Sequence, residues 1–131
     1  MKYLLDSHAV DWARHTDSRL SARVRGILAD TKPGELAISD VTLTELARLL
    51  TKGAIKSELS FTDWLRNATD GIVVLPVTIE IALTAAQLDW PHRDPCDRHI
   101  VATAVVHKLP LLTIDEKIHA LVGVKGLKPI W

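Results

Sequence analysis

The chain has 131 residues, of which 47% are hydrophobic and 24% charged, the balance of a single globular domain large enough to bury a core. Sixteen Lys and Arg offset sixteen Asp and Glu, so composition leans against nucleic-acid binding, which draws mostly on excess positive charge. The lone Cys96 excludes an internal disulfide and suits a reducing compartment.

The opening stretch MKYLLDSHAVDWA meets Asp6 too soon to read as a signal peptide. No apolar run approaches the roughly 18 residues needed to span a membrane. The expectation is a soluble cytoplasmic protein of one domain, residues 1–131. Arg14, Arg19, Arg23 and Arg25 cluster near the start, and Arg48, Lys52 and Lys56 follow one stretch. Each fits a solvated helix face.

In chain order, Met1 to Leu5 is a buried-strand pattern ending at Asp6. A first helix is predicted from His8 to about Arg14, and a second, capped by Ser18 or Ser21, to about Asp30. Lys32-Pro33-Gly34 is a turn, and Leu36 to Ser39 a second strand. Val41, Leu43, Leu46, Leu49 and Leu50 recur at helical spacing, with Gly53 as the stop. Ser60 begins a helix to about Ala68, and Gly71 to Pro76 reads as a third strand. Thr78 caps a helix carrying Ile81, Ala82, Ala85 and Leu88. Asp94-Pro95 opens the next, with proline at the favoured first position. Leu109 to Thr113 forms a fourth strand, Asp115 to Leu121 a short helix, and Leu127 to Trp131 a last strand.

Strands alternating with helices predict an α/β fold, a parallel sheet covered on both faces. Ligands then gather beyond the carboxyl ends of the strands, where Asp6 and Asp115 fall. Four acids stand out: Asp6, Glu45, Asp97 and Asp115. Each also has a structural explanation. Asp6 suits a helix cap, and Glu45 lies at capping-box spacing from Thr42. Asp97 lies in the first turn after Asp94, where negative charge is favoured. Asp115 lies near Thr113 and Glu116, another capping-box pattern. Jointly they read differently. Several border apolar stripes, where a carboxylate is costly unless paired or metal-bound, and no nearby run of cations matches them. Oxygen donors of this kind suit Mg²⁺ or Mn²⁺.

The segments LLDSHAVDWA, ISDVTLTELARLL, HRDPCDRHIVATA and LLTID, in this order and spacing, resemble the PIN-domain ribonucleases, and closely the VapC-type toxins of toxin–antitoxin pairs. The resemblance covers nearly the whole chain, including the closing tryptophan. It implies a three-layer α/β/α sandwich with a central parallel sheet, and endonucleolytic RNA cleavage dependent on Mg²⁺ or Mn²⁺. Asp6, Glu45, Asp97 and Asp115 match the family's acids and are the expected catalytic and metal-binding residues. A cognate antitoxin and a homodimer are the implied partners, beside the RNA substrate. Asp94 matches a family position but looks like a helix cap, and Ser7 a supporting hydroxyl. Two departures are visible: Cys96 stands where phenylalanine is usual, and Val10-Asp11 replaces a more apolar pair.

Other features carry less. His92 and Cys96 lack the further ligands of a zinc site. Cys96 has no identifiable base to activate it. His8 reads as structural. Trp12, Trp64, Trp90 and Trp131 are candidates for base stacking, with Trp12 and Trp131 in core-like contexts. Arg14, Arg48 and Arg98 are candidates to steer an RNA backbone. Two rival readings are a receiver-like phosphoacceptor domain and a non-catalytic RNA-binding domain of the same fold. The first would expect paired acids after the first strand and an aspartate after a middle strand. Here Asp6 stands alone and the third strand ends in Leu75-Pro76.

Overall fold

A computed structural model describes residues 1–15 and 17–131. Five strands, β1 (Tyr3–Leu5), β2 (Leu36–Ser39), β3 (Val73–Leu75), β4 (Leu111–Leu112) and β5 (Pro129–Ile130), form one sheet in the order β3-β2-β1-β4-β5. Every pairing is parallel. The helices are α1 (Ser7–Ala13), α2 (Ala22–Asp30), α3 (Asp40–Thr51), α4 (Phe61–Ala68), α5 (Ile79–Gln87), α6 (Pro95–His107) and α7 (Glu116–His119).

Strand side chains alternate between faces, and here both faces are apolar and covered. Leu5, Ile38 and Leu112 join one buried cluster with Ala9, Val10, Val24, Leu46 and Trp64 from the helices α1 to α4. Their strand neighbours Leu4, Ala37 and Leu111 join a second with Ile100, Val101 and Ala104 of α6 and Ile118 of α7. That division is the expected three-layer α/β/α sandwich. Helix α5 packs outside α6 through Ile81, Ala85 and Ala102.

Local signals set most boundaries. Side chains of Ser21, Ser39, Ser60, Thr78 and Asp94 each accept an amide N–H at a helix start, the usual work of an N-cap. Ser21, not Ser18, caps α2, accepting from the Val24 amide at 3.1 Å. Ser21→Ala is therefore expected to cost about 1 kcal/mol in urea unfolding, and Ser18→Ala to change stability by less than about 0.5 kcal/mol.

The third strand is shorter than 71–76. Gly71 takes φ +71°, with Pro33 3.3 Å from where a Cβ would sit, so the chain is still turning there. Extended pairing begins at Val73. The fourth strand is two residues long, but its hydrogen bonding continues through the Thr113 amide to the Ile130 carbonyl at 3.1 Å. No helix among the described residues is long and apolar enough to cross a membrane.

Strand order reverses at β1: β2 and β3 extend to one side, β4 and β5 to the other. The crevice at this switch point, beyond the carboxyl ends of β1 and β4, is where open parallel sheets bind ligands.

Candidate metal centre

The four sequence-predicted acids come from four separate segments and line one cleft of about 320 Å³, together with Ser7, His8, Arg48 and Asp94. Asp6 follows β1, Glu45 projects from α3, Asp97 from the first turn of α6, and Asp115 follows β4. Larger concavities elsewhere contain none of the four.

Asp6 is 8% exposed. Its Oδ1 accepts the Ala9 amide at 2.9 Å, capping α1. Burial pushes its carboxyl above the usual range and Asp115 adds to the push, while the Thr113 hydroxyl and the Ala9 amide pull it back. Burial likewise raises Asp97; a bond from His92 opposes this, and Asp94 and Asp115 reinforce it. Like charges thus face one another across the cleft. Among the described residues, no Lys or Arg forms an ion pair with Asp6, Glu45, Asp97 or Asp115.

The structural explanations and the site are not alternatives. Asp115 accepts the Lys117 amide at 2.9 Å as the cap of α7, and its own amide donates to Thr113 Oγ1 at 3.1 Å. Asp94 accepts the amides of Cys96 and Asp97, the cap role expected of it. The capping box proposed for Thr42 and Glu45 does not form. Ser39 is the cap of α3, and Thr42 is buried inside the first turn. Glu45 instead receives the Ser7 hydroxyl at 2.9 Å, so Ser7 holds a site carboxylate in place.

Several expectations change. His92 engages one of the four acids: its Nε2 lies 2.6 Å from Asp97 Oδ2. A carboxylate oxygen each of Asp94 and Asp97 and a ring nitrogen of His92 lie within 4.8 Å of one another, a grouping that includes Asp97 but not Asp6, Glu45 or Asp115. Sequence spacing linked His92 to Cys96 instead. The Cys96 thiol is raised by burial and then by Glu45, Asp94 and Asp97, which disfavours a thiolate nucleophile.

Arg98 does not face the cleft. Its guanidinium donates to the carbonyls of Ala85, Leu88, Trp90 and His92, so it is a structural clamp. Arg14 lies over the Trp64 ring at 4.7 Å, and Trp64 is 1% exposed, a core residue and no stacking platform. Of the three arginines only Arg48, one turn beyond Glu45, lines the cleft. His8 also lines it and packs against Trp12, ring centroids 5.3 Å apart. Burial raises the Asp11 carboxyl, His15, Arg19, His8 and Arg14 oppose that shift, and Asp11 does not line the cleft.

Comparison with known proteins adds to this geometry. The family described as PIN domain matches residues 3–124. Ribonuclease VapC22 of Mycobacterium tuberculosis is 31% identical over 119 residues, covering 89% of each chain. Among solved structures, VapBC2 from Rickettsia felis bound to a DNA fragment from its promoter gives a TM-score of 0.73 at 17% identity, over 99% of this chain and 98% of that one. VapBC-5 of M. tuberculosis gives 0.68 at 22% identity, over 98% and 97%. The likeness to these structures is one of fold.

Proposed function

The chain belongs to the PIN-domain family, among its VapC-type members, and from that premise we propose that it is a metal-dependent endoribonuclease, the toxin of a toxin–antitoxin pair. The observation that carries the reading is the convergence of Asp6, Glu45, Asp97 and Asp115 on one cleft, where, among the described residues, none of the four is ion-paired to an arginine or lysine. Ribonuclease activity is what the VapC22 name states of that relative.

The donor set fits a hard divalent cation such as Mg²⁺ or Mn²⁺, since it consists of carboxylate oxygens lining one cleft, where burial, and after it repulsion from neighbouring carboxylates, raises Asp6 and Asp97. Asp6, Glu45, Asp97 and Asp115 would hold it. Bound there, the cation supplies a water of lowered pKa as nucleophile and charge stabilisation for the departing oxygen. The chain's own groups do the rest. Ser7 fixes one Glu45 oxygen, and the Ala9 amide fixes one of Asp6. His92 restrains Asp97. Arg48 stands at the cleft wall, where its guanidinium suits a substrate phosphate.

The partners in this reading are an RNA substrate, a cognate antitoxin that covers the cleft, and a second copy of the chain, all within the cytoplasm. The whole chain acts as one domain. A receiver-like domain would need an aspartate where β3 ends, and Leu75 and Pro76 stand there.

The test is cleavage of total RNA by the purified protein. Mg²⁺ or Mn²⁺ is expected to support cuts at internal positions, and EDTA to stop them. RNA left intact with either ion, by protein freed of any antitoxin, would overturn the reading.

A further inference from the structure

Beside the cleft lies a second concavity of about 580 Å³, lined by Trp90, Pro91, His92, Lys117, Leu121 and Val122. Two contacts join it to the carboxylate site. His92 bonds Asp97 at 2.6 Å, and the Lys117 amide bonds Asp115 at 2.9 Å. The two concavities share no lining residue, but these two hydrogen bonds make them neighbours.

We propose that this concavity is a nucleoside subsite, in which Trp90 stacks on an RNA base next to the scissile phosphate and Lys117 contacts the adjoining phosphate. The proposal rests on the RNA-cleaving reading of the cleft. The chemistry of the lining supports it. A half-buried tryptophan packed inward on the Leu4–Leu111 core and facing a cavity outward presents a rigid ring, and base–aromatic stacking tolerates any base. The Trp90 and His92 rings lie 4.8 Å apart, forming an aromatic corner. Lys117 puts a positive charge for a phosphate on the rim of a largely apolar pocket, whose lining also includes one acid, Asp89.

The loop carrying Trp90 has no regular structure, yet it is held firmly. The Trp90 carbonyl accepts Arg98 Nη1 at 2.7 Å, and its amide donates to the Leu88 carbonyl at 2.9 Å. A ring fixed in this way gives up little freedom on binding. Nothing in the four-carboxylate chemistry requires an aromatic residue here.

Binding of a labelled short single-stranded RNA is measured by anisotropy on Asp6→Asn protein, with and without Trp90→Ala, Trp90→Phe or Lys117→Ala. Trp90→Ala is expected to weaken binding roughly tenfold to a hundredfold, and Trp90→Phe to retain most of it. Lys117→Ala is expected to lower the salt slope by about one. In parallel, an RNA carrying 5-iodouridine is photocrosslinked to the otherwise unaltered Asp6→Asn protein, and the adduct is expected at Trp90. A folded Trp90→Ala protein binding within twofold of its parent, or adducts only elsewhere, overturns the subsite and leaves the cleavage reading standing. Should Trp90→Ala fail to fold, the crosslink and Trp90→Phe decide. Parent protein that binds no RNA at all overturns both.

Discussion

Asp6→Asn is expected to lower RNA cleavage on the order of a thousandfold, because in the proposed mechanism Asp6 holds the metal, a metal ligand contributes several kcal/mol to the transition state, and each 1.36 kcal/mol is about a factor of ten. The same change should not harm the fold. Asn keeps the shape and an oxygen for the Ala9 amide, while the buried charge disappears. The sign follows from the raised carboxyl. A group that holds its proton more tightly folded than unfolded stabilises the protein below its ordinary value of 3.8, and that contribution falls away as pH rises through the raised value. At neutral pH, without metal, the ionised Asp6 is therefore a net cost. In EDTA the variant's Tm should equal or exceed that of the parent, and its Tm should depend less on pH in the mildly acidic range. Asp97, raised for a similar reason, keeps some of that slope. With Mn²⁺ the order should invert, the parent gaining stability by binding the ion and the variant gaining less. Calorimetry with and without Mn²⁺, beside a cleavage assay, reads both halves. A variant that still cleaves at near-parental rate removes Asp6 from the site. A variant that melts well below the parent in EDTA gives Asp6 a structural role instead.

The elements were legible because their signals are local. Ser21, Ser60 and Thr78 cap through amides three residues on, and the runs at Leu4-Leu5 and Leu111-Leu112 need two apolar faces whatever packs on them. That Asp6, Glu45, Asp97 and Asp115 line one cleft was legible because each sits at an element end or on an apolar edge. What stayed hidden depends on which element meets which. Ser7 and Glu45 are 38 residues apart, and only the placement of α3 beside α1 makes them partners. His92 and Asp97 are close in sequence, but their bond follows from the path of the irregular segment 88–94. No periodicity governs that path. The local capping-box pattern of Thr42 and Glu45 misled for a related reason: Ser39, still within β2, already caps α3, which shifts the frame by three residues.

Arg98 shows how far that hidden geometry reaches, and Arg98→Ala is expected to destabilise the protein by about 3 kcal/mol. Helix α5 ends at Gln87 with no basic residue in its last turn, so its final carbonyls lack a complementary charge. Arg98, from the first turn of α6, supplies that charge together with hydrogen bonds, its bond to the Leu88 carbonyl adding to the one from the Trp90 amide. Nε reaches the Ala85 carbonyl at 3.0 Å, Nη2 that of Leu88 at 2.7 Å, and Nη1 those of Trp90 and His92 at 2.7 and 3.0 Å. A guanidinium has five N–H donors in a fixed fork, and these four bonds leave at most one for anything else. That is why it cannot also serve an RNA phosphate, as its sequence position first suggested. Arg98→Lys keeps the charge but not the fork, so it should recover less than half of the loss. A steering residue would behave oppositely: lysine would substitute well, stability would hold, and only the salt dependence of RNA binding would change. Urea unfolding of the three proteins separates the two accounts. The clamp also predicts a secondary effect on the site. Arg98 holds the His92 carbonyl, and His92 restrains Asp97, so the folded fraction of Arg98→Lys should bind Mn²⁺ more weakly than the parent in calorimetric titration, although Arg98 touches no carboxylate of the cleft.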